Sequence, residues 1–274
     1  MFEKRKLVVV LPAFNAARTL RQTYAEIPFD LVDEVILTDD ASQDETVAVA
    51  GEIGIGHILR HGRNRGYGAN QKTCYRKALE LGADIVVMLH PDYQYTPALI
   101  PAMCEQLVHG GCDVVLGSRI SGGTALAGGM PRYKYVANRM LTAFQNLVLR
   151  QTLSEYHTGY RCFSAPALRA IDWPSNSDDF VFDNEVLAQC AFHGLVIGEL
   201  PCPTRYDGES SSISFWRSVR YGFGVLRVCG QYAVARLLPL QVRLFRRLRP
   251  DACGLRPPHL VYVKAPGGND GVLD

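Results

Sequence analysis

The sequence predicts an α/β fold, a three-layer sandwich in which a mostly parallel β-sheet lies between two layers of helices. Through residues 7–117, short apolar runs alternate with segments of helical periodicity, the pattern of β–α–β units. The apolar runs are continuous rather than alternating in polarity, as expected for strands that are buried on both faces. Polar segments follow these runs, and ligands of such sheets bind beyond the carboxyl ends of the strands.

Five strands are predicted in this part of the chain, each rich in Val, Ile and Leu. They cover residues 6–14, 32–40, 56–61, 84–89 and 112–118. The helices between and after them are predicted at residues 15–27, 42–53, 68–82 and 96–109. In the first helix Leu20, Tyr24 and Ile27 share one face. Ser42 is the expected N-cap of the second helix, and Gly82 ends the third.

After residue 118 the pattern changes and the connections become longer. A small-residue loop is followed by a long helix over 131–153, with Pro131 in its first turn. Residues 156–164 are predicted to be irregular. A helix ending at Gly194 and a strand that leads into a polar loop are predicted after them. The predicted domains are a main α/β domain at 1–215, basic amphipathic helices at 216–249 and a Pro- and Gly-rich tail at 250–274.

The composition is that of a folded protein. Apolar residues make up 47% of the chain and charged residues 20%, which excludes global disorder. The net charge is only +2, so no nucleic-acid partner is expected. The eight cysteines form no CxxC pair and no zinc-spaced cluster, which is typical of free thiols in a reducing cytoplasm. No run reaches the roughly 18 to 20 uncharged apolar residues that span a bilayer.

The segment before the tail is both apolar and basic. From Arg217 to Arg249 it carries eight arginines and no acidic residue, together with aromatic residues and leucines. This combination is typical of helices that lie in the interface of an anionic membrane. The alternative is a helix that packs on the core or in a homo-oligomer and keeps its arginines in water. The expected location is the cytoplasm, peripheral on the inner face of the membrane.

Carboxylates and an amide mark two of the strand ends. Asp39 and Asp40 follow the second strand and could accept hydrogen bonds from a nucleotide base or ribose, or one could cap the next helix. Asp92 and Gln94 alternate in an extended segment after the fourth strand. Their hard oxygen atoms suit Mg²⁺ or Mn²⁺ shared with substrate phosphates. The alternative for Asp92 is a helix cap.

Several further residues suggest phosphate binding or proton transfer. Arginine forks match phosphate oxygens, and solvated surface charge is the alternative for each basic residue. The basic candidates are Arg119, Arg132, Lys134 and Arg205. Asp183 and Glu185, near a helix start, could act as a general base or complement the helix dipole. His157 and His193 have no evident partner and are predicted to be structural.

The order of these segments carries a resemblance. The blocks VVVLPAFN, VDEVILTDDASQDET, NRGYGANQK, DIVVMLHPDYQ, VVLGSR, HTGYRCFS and FDNEVL follow the order seen in family 2 glycosyltransferases. The sequence resembles in particular the branch of dolichol-phosphate mannose synthase and bacterial polyprenyl-phosphate sugar transferases, over residues 7 to about 215. The resemblance implies a Rossmann-like GT-A fold, a nucleotide-sugar donor, a divalent metal and inversion at the anomeric carbon.

The resemblance also implies residue roles. The donor-binding positions are Pro12, Phe14, Asn15, Asp39, Asp40, Gly66, Gly68 and Asn70, with Phe14 standing where the family commonly has Tyr. The metal ligands are Asp92 and Gln94, and Arg119 contacts donor phosphate or sugar. Arg132 and Arg205 match basic residues that hold the acceptor phosphate and the diphosphate, and Lys134 and Ser210 are further candidates for binding the acceptor or its phosphate. Asp183 and Glu185 match the acidic pair that opens the acceptor-side helix.

One position departs from the family. His90 stands where the metal motif Asp-x-Asp-x-Gln has its first Asp. It could ligate Mn²⁺, hydrogen-bond the sugar or ribose, or reduce metal affinity; a hydrogen-bonding role in donor binding is the interpretation preferred from the sequence.

Two acceptors and one non-catalytic function remain open. A polyprenyl phosphate is already an anion and needs little base, whereas a hydroxyl of a glycan or small molecule needs Asp183 or Glu185 to take its proton. A nucleotide-sugar-binding protein without activity is the third alternative, and its one supporting feature is His90.

Overall fold

An eight-stranded β-sheet forms the centre of the computed structural model, which describes residues 1–123, 125–126, 128–203, 215–238, 240–246 and 260–262. The strands are β1 Leu7–Ala13, β2 Glu34–Asp39, β3 His57–His61, β4 Ile85–Met88, β5 Val114–Ser118, β6 Arg161–Ser164, β7 Ile197–Pro201 and β8 Leu260–Tyr262. Their order in the sheet is β7-β5-β6-β4-β1-β2-β3-β8. The pairs β1–β2, β1–β4, β2–β3 and β5–β7 are parallel, and those made by β6 and β8 are antiparallel.

Helices cover both faces of this sheet. They are α1 Ala17–Ala25, α2 Thr46–Glu52, α3 Tyr67–Glu80, α4 Ile100–Val108, α5 Arg132–Leu149, α6 Ala165–Ala170, α7 Phe182–Phe192 and α8 Phe215–Leu237. Short 3₁₀ helices lie at Pro97–Leu99, Trp173–Ser175 and Arg243–Phe245. The predicted α/β sandwich with a mostly parallel sheet is therefore confirmed.

The two hydrophobic cores lie on opposite faces of the sheet. Successive side chains of a strand point to opposite faces. Along β1, Val8 and Val10 join the core beneath α3, α5, α7 and α8, whereas Leu7, Val9 and Leu11 join the core beneath α1, α2 and α4. Strand β1 is fully buried on both faces, which is why its sequence is a continuous apolar run.

Two local predictions were wrong. Residues 161–164, predicted to be irregular, form strand β6 between β4 and β5. A four-residue antiparallel strand is too short to show a pattern, and its partners lie far away in the chain. Ser42 does not cap α2, which begins at Thr46; the Ser42 hydroxyl instead accepts the Asn15 backbone N–H at 2.8 Å.

Helix α8 packs one face on the core and leaves other faces exposed. Val225, Val228, Cys229 and Tyr232 are buried against α5 and α7, so one face packs on the core. On other faces Phe223 and Leu237 are largely exposed. None of the helices in the described ranges has the length and apolar character needed to cross a bilayer.

Parts of the predictions lie outside the described residues. They are the acceptor positions Arg205 and Ser210, Cys253, and the tail except for the edge strand Leu260–Tyr262. The seven described cysteines are all buried and unpaired, in agreement with their prediction as free thiols.

Candidate functional site

The segments after the strands converge at one edge of the sheet, as predicted. The loops after β1 and β2 are joined by two hydrogen bonds, from Asn15 N to Ser42 Oγ and from Gln43 N to Asn15 Oδ1, at 2.8 and 2.9 Å. The Asn70 side chain donates from α3 to the Ala13 carbonyl at 3.1 Å. Phe14, at the end of β1, is about half exposed (51%), so a ligand can reach its ring.

The two aspartates after β2 differ in what they can still bind. Asp40 is fully engaged: Oδ1 bonds His61 Nδ1 at 2.6 Å and the Arg65 N–H at 2.9 Å, and Oδ2 bonds the Gly66 N–H at 2.9 Å. Asp39 accepts the Ser42 N–H and pairs with Arg60 through Oδ2, while its Oδ1 is buried without a hydrogen-bond partner. Asp39 therefore keeps a buried acceptor atom that no described residue uses, and Asp40 positions the loop around Gly66.

The glycines at the start of α3 approach the protein's own backbone. A Cβ on Gly66 would lie 2.6 Å from the Asp178 carbonyl oxygen, and one on Gly68 would lie 2.4 Å from the Ser177 carbonyl oxygen. The Gly68 N–H donates to the Asp178 carbonyl at 2.8 Å. The glycines thus let the 177–178 segment pack on α3, and their predicted approach to a ligand stays a prediction.

Asp92 and Gln94 were predicted to alternate in an extended segment, and this was wrong: they lie in a turn after β4, where Tyr93 has a left-handed φ of 58°. Asp92 Oδ1 accepts the Gln94 backbone N–H at 3.1 Å. Among the described residues, no hydrogen bond uses Asp92 Oδ2 or the side-chain amide of Gln94. One carboxylate oxygen and one amide oxygen are thus free, and this is a donor set that Mg²⁺ or Mn²⁺ accepts.

His90 belongs to a hydrogen-bonded chain that reaches across to α7. Its Nε2 lies 3.0 Å from the Tyr67 hydroxyl, and this hydroxyl donates to Asp183 Oδ2 at 2.7 Å. Gln71 Nε2 donates to the other oxygen, Asp183 Oδ1, at 3.0 Å. Burial, followed by the neighbouring Asp183, raises the pKa of Tyr67 well above its ordinary value, so the phenol keeps its proton.

Gly159 packs directly against the His90 ring. A Cβ on Gly159 would lie 2.5 Å from His90 Nε2 and 3.4 Å from the Tyr67 hydroxyl. Only a residue without a side chain fits here, because a Cβ at this distance would displace the imidazole.

Replacing Gly159 with Ala is therefore expected to displace His90 and to destabilise the protein by about 1–3 kcal/mol, as overpacking does. Urea unfolding and titration with a nucleoside diphosphate plus Mn²⁺ measure the two effects. Gly56→Ala is the matched control, since no atom lies within 4 Å of its Cβ position. Equal behaviour of the two variants would contradict the expectation.

Arg119 is held by a buried carboxylate. Its backbone N–H and its Nε donate to the two oxygens of Glu155, each at 2.9 Å, and its Nη2 donates to the His157 carbonyl at 2.8 Å. The Glu155 side chain is fully buried and that of Arg119 is 13% exposed. Burial raises the pKa of Glu155, but the Arg119 charge and hydrogen bonds outweigh it, so the net pKa lies below its ordinary value. Arg119 is thus a rigidly oriented charge.

The other basic candidates stand at the start of α5. Arg132 is exposed, and Lys134 is half-buried close enough to Arg119 to respond to its charge. Burial and then Arg119 lower the pKa of Lys134. This region therefore carries a positive potential suited to an anion.

The structure separates the two acidic residues of α7. Asp183 lies in the chain with Tyr67 and also 3.6 Å from the buried guanidinium of Arg161. Glu185 instead accepts the Ser177 backbone N–H at 2.6 Å, away from His90, and burial raises its pKa.

The two histidines predicted to be structural both lie in the described part of the chain. His157 Nδ1 lies 2.7 Å from the Tyr221 hydroxyl of α8, and burial lowers its pKa to about 4. His193 ends α7 and packs edge-on against Phe192. Sequence reasoning missed three residues of the site, Tyr67, Gln71 and Gly159. Tyr67 could have been found from its place between Gly66 and Gly68 in NRGYGANQK, a segment in which the glycines alone suggested ligand binding.

Known proteins resemble this chain in sequence and in fold. A UDP-N-acetylglucosamine–dolichyl-phosphate N-acetylglucosaminyltransferase of Methanococcus voltae is 26% identical, over 74% of this chain and 87% of its own. An undecaprenyl-phosphate mannosyltransferase of Micrococcus luteus is 28% identical, over 72% and 82% of the two chains. The crystal structure of glucosyl-3-phosphoglycerate synthase from Mycobacterium tuberculosis with Mn²⁺, UDP and glucosyl-3-phosphoglycerate has the same fold, with a TM-score of 0.64, 20% identity, and coverage of 83% and 81%. The sequence model of glycosyl transferase family 2 matches residues 8–172, more than half of the chain, and the protein therefore belongs to that family.

Proposed function

We propose that this glycosyltransferase moves a hexose from a GDP- or UDP-linked sugar to a polyprenyl phosphate, such as dolichyl phosphate, with inversion at the anomeric carbon. In this proposal residues 1–215 are the catalytic domain, residues 216–249 dock on an anionic membrane from the cytoplasmic side, and residues 250–274 are a tail. Relatives named for dolichyl-phosphate and undecaprenyl-phosphate acceptors support the choice of acceptor.

The observation that carries the choice of a phosphate acceptor is the engagement of both candidate bases. Asp183 accepts hydrogen bonds on both oxygens, from Tyr67 and from Gln71. Glu185 is bonded to the backbone of Ser177. A hydroxyl acceptor would require a carboxylate within reach of its proton, whereas a phosphate monoester is already an anion. The site therefore favours a nucleophile that needs no base.

The donor side uses the remaining free atoms of the strand ends. Asp39 Oδ1 accepts a base or ribose proton, with Pro12, Phe14, Asn15 and Asn70 around it. Asp92 and Gln94 hold a divalent metal together with the diphosphate; the metal, when bound, neutralises charge that develops on the leaving diphosphate. The fold neighbour from M. tuberculosis was crystallised with Mn²⁺ and UDP.

On the acceptor side the basic residues bind the acceptor phosphate and orient it. Arg132 and Lys134 at the start of α5 attract the acceptor phosphate, while Arg119, fixed by Glu155, contacts the phosphate or sugar of the donor. Arg205 and Ser210 complete this set in the proposal. The attacking phosphate oxygen approaches C1 from the face opposite the nucleotide, and the fixed positive charges stabilise the anions on either side of the transition state.

Helices α5 and α8 supply a surface for the membrane. Large apolar side chains are exposed along one face of α5, at 3- and 4-residue spacing: Tyr133, Val136, Met140, Phe144 and Leu147. Helix α8 packs beside α5 and exposes Phe223 and Leu237. No acidic residue occurs between Pro131 and Ser154 or between Arg217 and Arg249. Exposed apolar side chains on acid-free basic helices fit an anionic bilayer surface.

A pair of substitutions on this face is expected to weaken membrane binding. Changing Met140 and Leu147 together to Glu removes apolar contact and adds charge opposed to the lipid, so binding should fall about tenfold or more. Co-sedimentation with vesicles containing phosphatidylserine measures it, and binding by the unaltered protein should weaken with salt. Val196→Glu is the control, an exposed valine in the turn between α7 and β7. Unchanged co-sedimentation of the double variant would remove α5 from the proposed surface.

The proposed reaction is tested by offering matched acceptors. Purified protein is incubated with GDP- and UDP-hexoses, Mg²⁺ or Mn²⁺, and either a polyprenyl phosphate or the corresponding polyprenol. Transfer to the phosphate and not to the alcohol is expected. Transfer to a hydroxyl acceptor that is lost in Glu185→Gln would support the alternative reaction with Glu185 as base. Donor binding without any transfer would support the non-catalytic alternative.

A further inference from the structure

The chain of Asp183, Tyr67 and His90 determines where protons lie in the donor cleft. Asp183 also faces the guanidinium of buried Arg161, with Nη1 at 3.6 Å from Oδ1. Beside this cation the carboxylate is an acceptor only. Its Oδ2 receives the Tyr67 hydroxyl proton at 2.7 Å, and its Oδ1 receives a Gln71 proton. Tyr75 in turn donates to Gln71 Oε1 at 2.7 Å, which fixes the orientation of the Gln71 amide.

A phenol has one proton to give, and Tyr67 gives it to Asp183. The contact of 3.0 Å between the Tyr67 oxygen and His90 Nε2 must then be made by a proton on His90 Nε2. A neutral imidazole carries one N–H, so this assignment leaves Nδ1 without a proton. The two ring nitrogens of His90 are therefore distinguished by a residue that the sequence pattern did not single out.

The surroundings of His90 hold the ring in this orientation. The Tyr67 and His90 rings stack with centroids 5.4 Å apart and an interplanar angle of 27°. On another side the backbone of Gly159 lies against the ring. Within the described part of the chain, Nδ1 makes no hydrogen bond, and it is not among the buried unpaired atoms. The lone pair of Nδ1 is thus open to a ligand.

We propose that Tyr67 is a positioning residue that, anchored by Asp183, accepts the Nε2 proton of His90 and so presents Nδ1 as a nitrogen ligand for the divalent metal of the donor complex. The proposal rests on the metal-dependent donor binding of the proposed function. His90 is then a metal ligand, whereas the sequence favoured a hydrogen bond between His90 and the nucleotide-sugar donor.

Replacing a carboxylate ligand by a neutral imidazole changes the metal preference. The site loses one negative charge and gains a nitrogen, and nitrogen ligands favour Mn²⁺ and the later first-row metals over Mg²⁺. A histidine ligand is typically oriented by a hydrogen bond from the ring nitrogen that does not bind the metal. Loss of this hydrogen bond lowers the metal affinity by about 10- to 100-fold. Tyr67→Phe should weaken Mn²⁺ binding in the donor complex by this factor.

The tautomer can be measured without metal or turnover. Protein labelled with [¹⁵N]histidine gives long-range ¹H–¹⁵N spectra that distinguish the two tautomers, and His90→Gln identifies the signal of His90 by its absence. The expected result is a protonated Nε2 and a bare Nδ1 in the unaltered protein. In Tyr67→Phe the two tautomers should mix, while Tyr24→Phe, a tyrosine on α1, should leave the spectrum of His90 unchanged. A protonated Nδ1 in the unaltered protein would overturn the assignment.

The ligand role has its own spectroscopic readout. Pulsed EPR of Mn²⁺ bound with UDP or GDP reports directly on nitrogen atoms that coordinate the ion. Nitrogen coupling is expected in the unaltered protein and in Tyr24→Phe. It should disappear in His90→Asp, which restores a carboxylate and should bind Mg²⁺ more tightly than the unaltered protein does.

The outcomes separate this inference from the proposed function. Mn²⁺ bound with the nucleotide but without nitrogen coupling, or coupling that persists in His90→Asp, would overturn the ligand role of His90 and leave the donor site intact. No Mn²⁺ binding in any nucleotide complex would overturn both.

Discussion

Replacing Asp92 with Asn is expected to lower kcat/KM for sugar transfer by about a hundredfold or more. Among the described residues, Asp92 Oδ2 has no hydrogen-bond partner and Oδ1 receives only the Gln94 N–H. The neutral amide of Asn binds a divalent cation far more weakly than a carboxylate, so the diphosphate would leave without its counter-charge. A bound metal contributes several kcal/mol to such a step, and each 1.36 kcal/mol is about tenfold in rate.

Transfer rates at saturating Mn²⁺, and the metal concentration at half-maximal rate, measure this effect. Asp30→Asn, at an exposed carboxylate in the α1–β2 connection, is the control and should behave as the unaltered protein does. Urea unfolding should give equal stability for both variants, since the Asp92 side chain makes no long-range hydrogen bond or ion pair among the described residues. Undiminished turnover of Asp92→Asn would exclude Asp92 as a metal ligand.

Replacing Glu155 with Gln should destabilise the whole fold by about 3–5 kcal/mol, the usual cost of breaking a buried ion pair from one side. Glu155 is fully buried and accepts from the Arg119 backbone, the Arg119 side chain and Asn138 Nδ2. The variant removes the carboxylate charge that faces the largely buried Arg119 guanidinium. Glu52→Gln breaks a pair with Arg21 that is exposed on both sides, and should cost little.

The same pair makes stability depend on pH. The folded pKa of Glu155 lies below its ordinary value, because Arg119 outweighs the opposing effect of burial. The contribution is therefore fully present above the unfolded pKa of glutamate, about 4.3, and is lost as the pH falls through the folded pKa. Urea midpoints measured from pH 7 downwards should converge for the unaltered protein and Glu155→Gln. A constant difference down to the lowest pH would contradict this.

Most of the fold could be predicted because each central strand is buried on both faces. The five strands predicted up to residue 118 are all present. A short, continuous apolar run between two helical segments is best explained as a strand that is buried on both faces. Strand β6 could not be predicted in this way. Its four residues, Arg161–Ser164, include an arginine that is completely buried, and its partners are 73 to 79 residues earlier in β4 and 45 to 49 residues earlier in β5.

The candidate site was predictable as a set of segments but not as a set of contacts. Asp39, Asp92 and Gln94 could be found because their residue types suit a ligand and they stand at strand ends. The role of Tyr67 depends on Asp183, which is 116 residues away, and that of Arg119 on Glu155, 36 residues away. The residue type determines what a side chain can bind. Only the fold shows which of its atoms are already hydrogen-bonded to other residues of the protein.

One hydroxyl group of helix α8 contacts two polar side chains of the interior. Tyr221 accepts a hydrogen bond from Asn184 Nδ2 of α7 at 3.1 Å and lies 2.7 Å from His157 Nδ1. His157 in turn follows Glu155 and precedes the Gly159 that packs on His90. A chimera in which an unrelated helix replaces α8 must therefore keep a hydroxyl group at position 221. Without it, Asn184 Nδ2 and His157 Nδ1 lose this hydrogen-bond partner. Helix α8 is for this reason not interchangeable with an unrelated helix.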